Sequence, residues 1–365
     1  MIILRQKVIE NERFTVYNEN GRLLGEEKTH EVYTGHSDLF IQEITPDISG
    51  SIKSGFDALA GDSVFKEGDL VAIKVNLGGG IHGVLSSYTD PDLVCPLVEK
   101  LRAIGVKPFI CEADMRGHEM TQVMLRERGY LSLCRDMKVP FVNLSKIKQV
   151  QFKFHGIHKR VSLPFLLLKP DVKIISFAPP KHHWECGITC AQKNMYGAIG
   201  NFRKSQYHRK YELIDHVVAG AARIMKPDLC MIGSKQLGAG LGPHFCVPVN
   251  FYRMIYAKDM LSCDKFCAEI LGYPIDLVLY HQINRQNQAI HYNTLSGSTA
   301  VDKESMKKIH ANNIPPEEVR KYKNTLWIQY YIPSLLQFKT YRYFEWLLTW
   351  MNHKFYVPLG DSPIF

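Results

Sequence analysis

The sequence predicts an α/β protein: a mostly parallel sheet flanked by helices, with a β-hairpin elaboration and an aromatic-rich C-terminal helical appendage. Three observations carry this reading. Residues 66–111 read as strand, helix, strand with turn signals between them, which is a parallel βαβ unit with a right-handed crossover. Val172 to Ala178 is a continuous apolar run, the pattern of a strand covered on both faces. Residues 324–357 carry three of the four tryptophans among many tyrosines and phenylalanines, a composition unlike the rest of the chain.

The elements follow in order. Residues 1–34 form a polar β extension with Asn20-Gly21 as a hairpin turn, because both residues accept the positive φ such turns require. Residues 50–65 read as helix and loop. Lys66-Glu67-Gly68-Asp69 turns the chain into the strand Leu70 to Asn76, and the glycines Gly78-Gly79-Gly80 follow. Asp90 caps the next helix, Pro91 fits its first turn and Gly105 ends it. Val106 to Cys111 is a strand, Gly117 to Arg128 a helix and Val139 to Leu144 a strand. Alternation around His155-Gly156 predicts a hairpin over 151–163, inserted in the parallel pattern. After the Val172 to Ala178 strand come a helix over 211–225 and a short strand, Leu229 to Ile232, entering a loop at Gly238 to Pro243. Asp259 caps a helix that runs to Gly272, and Asp276 to Tyr280 reads as a last strand. Residues 299–323 are polar, a linker or surface helix. In the tail, Pro333 starts a helix whose apolar face carries Leu336, Tyr343, Leu347 and Trp350, interrupted by Lys339, Arg342 and Glu345. The chain thus divides into a β extension (1–34), an α/β core (35–298) and a C-terminal linker and aromatic tail (299–365).

Composition narrows the partners. The chain has 365 residues, 45% apolar and 22% charged, with a formal net charge of +9. That excess suits an anionic metabolite, a nucleic acid or an acidic membrane surface. The basic residues are dispersed and no nucleic-acid motif occurs, so no nucleic acid is expected. The N-terminus lacks a signal-peptide core, and no apolar window reaches the roughly 18 residues of a spanning helix. Nine cysteines in that context point to free thiols in a reducing, cytoplasmic setting.

The chemistry concentrates at strand ends. In parallel α/β sheets ligands sit beyond the carboxyl ends of strands. Those ends supply Lys74 and Asn76, then Glu112 and Asp114, then Lys181, His182 and His183. Polar groups this dense at the end of a buried strand are costly unless they bind something. Each also has a structural reading, and Lys74 and Glu112 can simply pair. Gly238-x-Gly240-x-Gly242 offers backbone amides for an anion nest or a tight turn. The triple glycine at 78–80 has neither dinucleotide nor P-loop spacing. Cys186 and Cys190, with Cys263 and Cys267, are two pairs four residues apart. On helices they would present thiolates to zinc or an iron–sulfur cluster, or serve as small buried apolar residues. His182, His183 and His208 are candidate ligands or acid–base groups. Lys181 or Lys193 can stabilise developing negative charge.

A series of short pieces, in order, resembles a known family. They are the Gly68 to Asn76 strand ending in Lys-x-Asn, Thr89-Asp90-Pro91, Lys181-His182-His183, Gly187-Ile188-Thr189, and Lys193-Asn194-Met195-Tyr196-Gly197. Gly240-Leu241-Gly242-Pro243 follows, then Asp259 and Asp264 in a helix ending Leu271-Gly272. Over about residues 35–280 the chain resembles the domain of unknown function 362 family. It departs at Cys190, where the family usually has glycine, and at Ile232-Gly233-Ser234, where the family commonly has Asp-Gly. Some members carry ferredoxin modules, whose cysteine run is missing here.

The resulting expectation is an enzyme or enzyme-like pocket for a small carboxylate- or phosphate-bearing metabolite. Lys74, Asn76, Lys181, His183, Lys193 and Asn194 form its floor, the Gly240 to Pro243 segment its wall, and His183, Lys181 and Lys193 its catalytic groups. Thr189 and Asp259 join the ligand-binding set. The alternatives are a binding or assembly protein, and a metal or iron–sulfur redox protein. The sequence names no cofactor. Residues 324–357 would cover the core, make a homo-oligomer or partner interface, or touch a membrane surface.

Overall fold

The computed structural model describes residues 5–28, 36–59, 61–78, 85–115, 119–201, 204–208, 213–243 and 245–314. The expected Gly79-Gly80 loop and the whole aromatic tail, 324–357, lie outside them.

The Leu70–Val75 strand organises the molecule. Val71, Ile73 and Val75 project into one apolar cluster and Ala72 into another, so both faces of the sheet are covered. Parallel to it run Lys107–Glu112 and Phe141–Asn143 on one side, and Val172–Ala178 and then Leu229–Leu241 on the other. The Pro91–Ala103 helix makes the first crossover, capped by Asp90 with Pro91 at its start. Chain order therefore reverses direction between Leu70–Val75 and Val172–Ala178. That is a topological switch point, where crossovers part and leave a crevice at the carboxyl ends.

The sheet is nevertheless mixed rather than mostly parallel. Leu229–Leu241 pairs antiparallel with Phe245–Ala257, which pairs antiparallel with His36–Glu43. The predicted short strand ending at Ile232 in fact continues to Leu241. Its glycines read as loop signals, yet they are there for close packing: a Cβ on Gly242 would sit 2.0 Å from the His182 carbonyl oxygen, and one on Gly238 2.6 Å from Cys246 Sγ.

A second, five-stranded sheet joins the N-terminal strands Arg5–Glu10, Phe14–Glu19 and Arg22–Glu27 to Gln149–Lys153 and Val161–Pro164. The Asn20-Gly21 turn has positive φ at both residues, as expected. The 151–163 hairpin forms, but it belongs to this second sheet and not to the parallel one. Phe14, Val16, Val150 and Phe152 pack in the same core as Val217, Val218 and Ala221 of the Leu213–Ile224 helix. A buried ion pair, Arg223 to Glu27 at 2.5 Å, ties that helix to the second sheet.

Two further expectations change. Asp276 to Tyr280 is not a strand: it spans a 3₁₀ turn, Ile275–Leu277, and the start of a helix, Leu279–Arg285. A short apolar run has no period to tell helix from strand. The 117–128 helix is shorter, Gln122–Glu127, and a second helix, Tyr130–Met137, follows across Gly129. Among the described residues no helix is long and apolar enough to cross a membrane.

Candidate functional site

The site is assembled at the switch point. Lys74 is the next-to-last residue of its strand and lies opposite Ser176 on one neighbour and Cys111 on the other. Strand alternation puts its side chain on the face opposite Ile73 and Val75, toward the Ala191–Gly197 helix, where Asn194 meets it. Asn194 Nδ2 donates to the Lys74 carbonyl at 2.9 Å and to Ser176 Oγ at 3.1 Å, and its Oδ1 accepts from Lys74 Nζ and Asn76 Nδ2, both at 3.3 Å.

Lys181 enters from the other side of the crevice. After Pro179-Pro180 the chain makes a tight hairpin, Lys181–His183 against Gly187–Thr189, with Lys181 opposite Thr189. Lys181 also bridges to Gly238 of the long strand. Its ammonium donates to Asn76 Oδ1 at 3.0 Å and to the Ser87 carbonyl. Thr89 fixes the loop between: its hydroxyl donates to the Phe177 carbonyl at 2.8 Å and accepts from the Asn76 N–H at 2.9 Å. Lys74, Asn76, Asn194 and Lys181 thus form one connected floor.

The charges do not balance. Lys74 pairs with Glu112 at 2.8 Å. The Glu112 carboxylate also accepts the N–H groups of Ala113 and Leu77, so its capacity is largely spent. Asp114 is committed to Asn143 Nδ2 and the Met120 N–H. Lys181, Lys193 and Lys204 are buried, at 1%, 8% and 3% exposure, and among the described residues no carboxylate pairs with any of them. Burial, helped by the Lys193 charge, pushes Lys181 down to about 8 and Lys204 down to about 7. Lys193 lies against the Tyr196 ring, 4.4 Å from its centroid. Lys204 donates to the Gly197 carbonyl at 2.8 Å. Arg128, buried against Tyr88, adds another cation to the field at Lys181.

The remaining expected residues fall into two groups. His183 sits at the hairpin tip, where its Nδ1 accepts the N–H groups of Glu185 and Cys186 at 3.2 Å. Thr189 is held beside Lys181 by the hairpin register. Gly240 and Gly242 lie close by, but the Gly240 N–H is already given to His182 Nδ1 at 3.0 Å, and Gly242 closes on the same short strand. His182 Nε2 meets the Leu271 carbonyl at 2.8 Å, and burial pushes its imidazole down to about 4. It is a neutral cross-brace. Asp259 is not brought to the floor. It caps the first turn of the Met260–Leu271 helix through the Ser262 N–H. At 1.5 Å per residue that places it roughly 18 Å from the helix end that His182 touches. Its companion Asp264 reaches inward instead and accepts the N–H groups of Ala191 and Gln192, setting the helix that carries Lys193 and Asn194.

The cysteine pairs are divided. Cys186 lies in the hairpin turn and not on a helix. Cys190, Cys267, Cys263 and Cys230 make a buried chain of thiol contacts. Among the described residues no group of three or more His, Cys, Asp or Glu side chains is placed to hold a metal ion. Lys204, Thr89, Glu185 and Tyr196 escaped the sequence reading as site residues. Thr89 and Tyr196 carried a signal, since both lie in family-like pieces and Tyr196 is three residues from Lys193, on the same helix face.

A family model described as Domain of unknown function (DUF362) matches residues 71–269. No curated protein matches the chain. Among solved structures, the chain is similar to a crystal structure of a protein from Thermotoga maritima, at 10% identity and a TM-score of 0.33. The match covers 68% of this chain and 60% of that one.

Proposed function

We propose, for a chain that belongs to the domain of unknown function 362 family, that the buried lysine floor is an enzyme-like pocket for a small carboxylate- or phosphate-bearing metabolite. One observation carries the reading: Lys181, Lys193 and Lys204 are buried together without a pairing carboxylate among the described residues. Unpaired buried ammonium groups are costly. An incoming anion removes that cost, so the free protein stores part of the affinity as unrelieved repulsion. Ser87, Asn76 and Asn194 hold the floor in register, and Glu112 holds Lys74. Lysines lowered toward neutrality also exchange protons readily, which suits acid–base chemistry on the bound anion. The assembly reading rests on residues 324–357, outside the described residues.

Calorimetric titration of the full chain with inorganic phosphate and with succinate tests the proposal. Binding of at least one in the ~1 mM range or tighter, lost in Lys181→Met, is expected. Absence of heat with both, or binding that survives Lys181→Met and Lys204→Met alike, overturns it.

A further inference from the structure

Beside the lysine floor stands a second constellation that anion binding does not use. Glu185 Oε2 lies 2.5 Å from His208 Nδ1, and both side chains are 6% exposed. His208 Nε2 lies 3.2 Å from Tyr196 Oη, with the two rings edge-on at 6.0 Å. Tyr196 Oη also donates to the Lys204 carbonyl at 3.3 Å, and the Lys193 ammonium sits 4.4 Å from the centre of the tyrosine ring. Carboxylate, imidazole and phenol are therefore connected in series, with the Lys193 ammonium over the phenol ring and the Lys204 backbone carbonyl at its hydroxyl.

We propose that Tyr196 is the acid–base group of this pocket, with Glu185 and His208 as positioning residues that tune it. The inferred ligand class is an anion bearing a removable proton on carbon or oxygen next to its acid group. This rests on the reading of the lysine floor as an anion site.

Either charge state of His208 supports a polarised phenol. Glu185 accepts from Nδ1–H in both. With a neutral ring, Nε2 competes with the Lys204 carbonyl for the one phenol proton and draws the O–H bond out when it wins it. With a charged ring, Nε2–H donates to the phenolate oxygen and stabilises it. The Lys193 ammonium lies over the ring, a position that favours phenolate over phenol. Desolvation and the Lys204 carbonyl oppose phenolate, and the Lys193 ammonium, joined by His208 when that ring is charged, favours it at close range in a low-dielectric site. In the reaction, the phenolate takes a proton from the ligand. The ligand's C–H or O–H bond breaks, its electron pair stays on the ligand as an enolate or alkoxide, and Lys181 or Lys204 holds that charge. The reverse step returns the proton from Tyr196. No oxidant or second substrate is needed. His183, whose Nδ1 takes two backbone N–H groups, positions the turn that presents Glu185.

The test is a pH titration of the full chain labelled with ¹³Cζ-tyrosine. The Tyr196 resonance is identified by its loss in Tyr196→Phe, or, should that variant not fold, as the resonance whose midpoint moves in both His208→Gln and Lys193→Met. The expected midpoint lies at least about one unit below the ordinary tyrosine value of about 10. It rises in both variants, and rises on saturation with phosphate or succinate. A midpoint at or above the ordinary value, or one that neither variant moves, overturns the proposal. The two readings fail separately: anion binding with an ordinary Tyr196 sinks only the relay, whereas a lowered Tyr196 without anion binding sinks the pocket.

Discussion

Residues 181–197 feed two buried polar clusters, and the two are built to opposite rules. On one side His182 spans the Gly240 N–H and the Leu271 carbonyl. Gln192 touches Asp264 and His281 and accepts from Asn284, which in turn accepts from Arg223. Arg223 closes the series on Glu27. Burial pushes His182 down to about 4 and His281 to about 3, so these imidazoles are neutral and cations do not exceed anions. On the other side Lys181, Lys193 and Lys204 are buried without a pairing carboxylate among the described residues, and the carboxylates of Glu112 and Asp114 are already engaged. Polar burial alone therefore does not mark a site. A saturated network is scaffold, because every group already has what it needs. A network with surplus charge of one sign gains stability from a ligand of the other sign, which is the basis of the proposed anion site.

The sharpest way to break this comparison is to remove a keystone from each cluster. Asp264→Ala strips the acceptor from the Ala191 and Gln192 N–H groups and the Gln192 side chain. Buried donors left unsatisfied cost about 1–3 kcal/mol each, so chemical denaturation should show a loss of about 3 kcal/mol or more. Lys181→Met should do the reverse. Stability holds within about 1 kcal/mol or rises, because a desolvated charge among like charges is replaced by an apolar chain of similar length. Anion affinity falls by at least about tenfold, or about 1.4 kcal/mol. If Lys181→Met unfolds the protein as severely as Asp264→Ala, the distinction between scaffold and site collapses.

Acid and base should separate the clusters as well. Lys181 and Lys204 titrate below the ordinary lysine value in the folded chain, so the unfolded chain binds more protons between about pH 7 and 10. The contribution of these two lysines to the stability of the ligand-free protein therefore rises with pH across that window, opposed above about pH 8.5 by buried thiols such as Cys134 and Cys190 that burial raises, while anion affinity falls as the ammonium groups neutralise. The lowered histidines act on the acid side. The unfolded chain takes up their protons below about 6.5, and folded-state stability from His182 and His281 is lost as pH falls toward their depressed values. Denaturation midpoints across pH, with and without phosphate, read both windows. Loss of the alkaline rise in Lys181→Met, Lys204→Met alongside an unchanged acid limb would sharpen the assignment. An alkaline rise that persists in that double variant would break it.

How much of this was legible in the sequence depends on the reach of each signal. The convergence of Lys74, Asn76 and Lys181 follows from local facts: apolar strands, a crossover helix and the residues at strand ends. Glycine density at 233–242 misled because its cause lies elsewhere, in the short strand that Gly238 and Gly242 must admit. Lys204 and His208 arrive through a segment with no period, and Glu185 finds His208 only in three dimensions. The antiparallel half of the large sheet and the union of the 149–164 hairpin with the N-terminal strands are pairings between distant segments, which no local pattern encodes.

Asp259 gives the finest test, because the family motif and the geometry assign it differently. Its position in an Asp-x4-Asp motif grouped it with the ligand-binding residues, yet it caps the first turn of the Met260–Leu271 helix, the end away from His182. Burial raises its carboxyl above the ordinary value, the mark of a cap held in an apolar setting. Replacing an N-cap of this kind with alanine costs about 1 kcal/mol. Asp259→Ala should therefore lower the denaturation midpoint slightly and leave phosphate or succinate affinity within about twofold, since the cap acts only on its own first turn. A loss of affinity as large as that of Lys181→Met would mean that the helix transmits its N-terminal state to the hairpin, through the Leu271 carbonyl and His182, and that the two clusters are not independent.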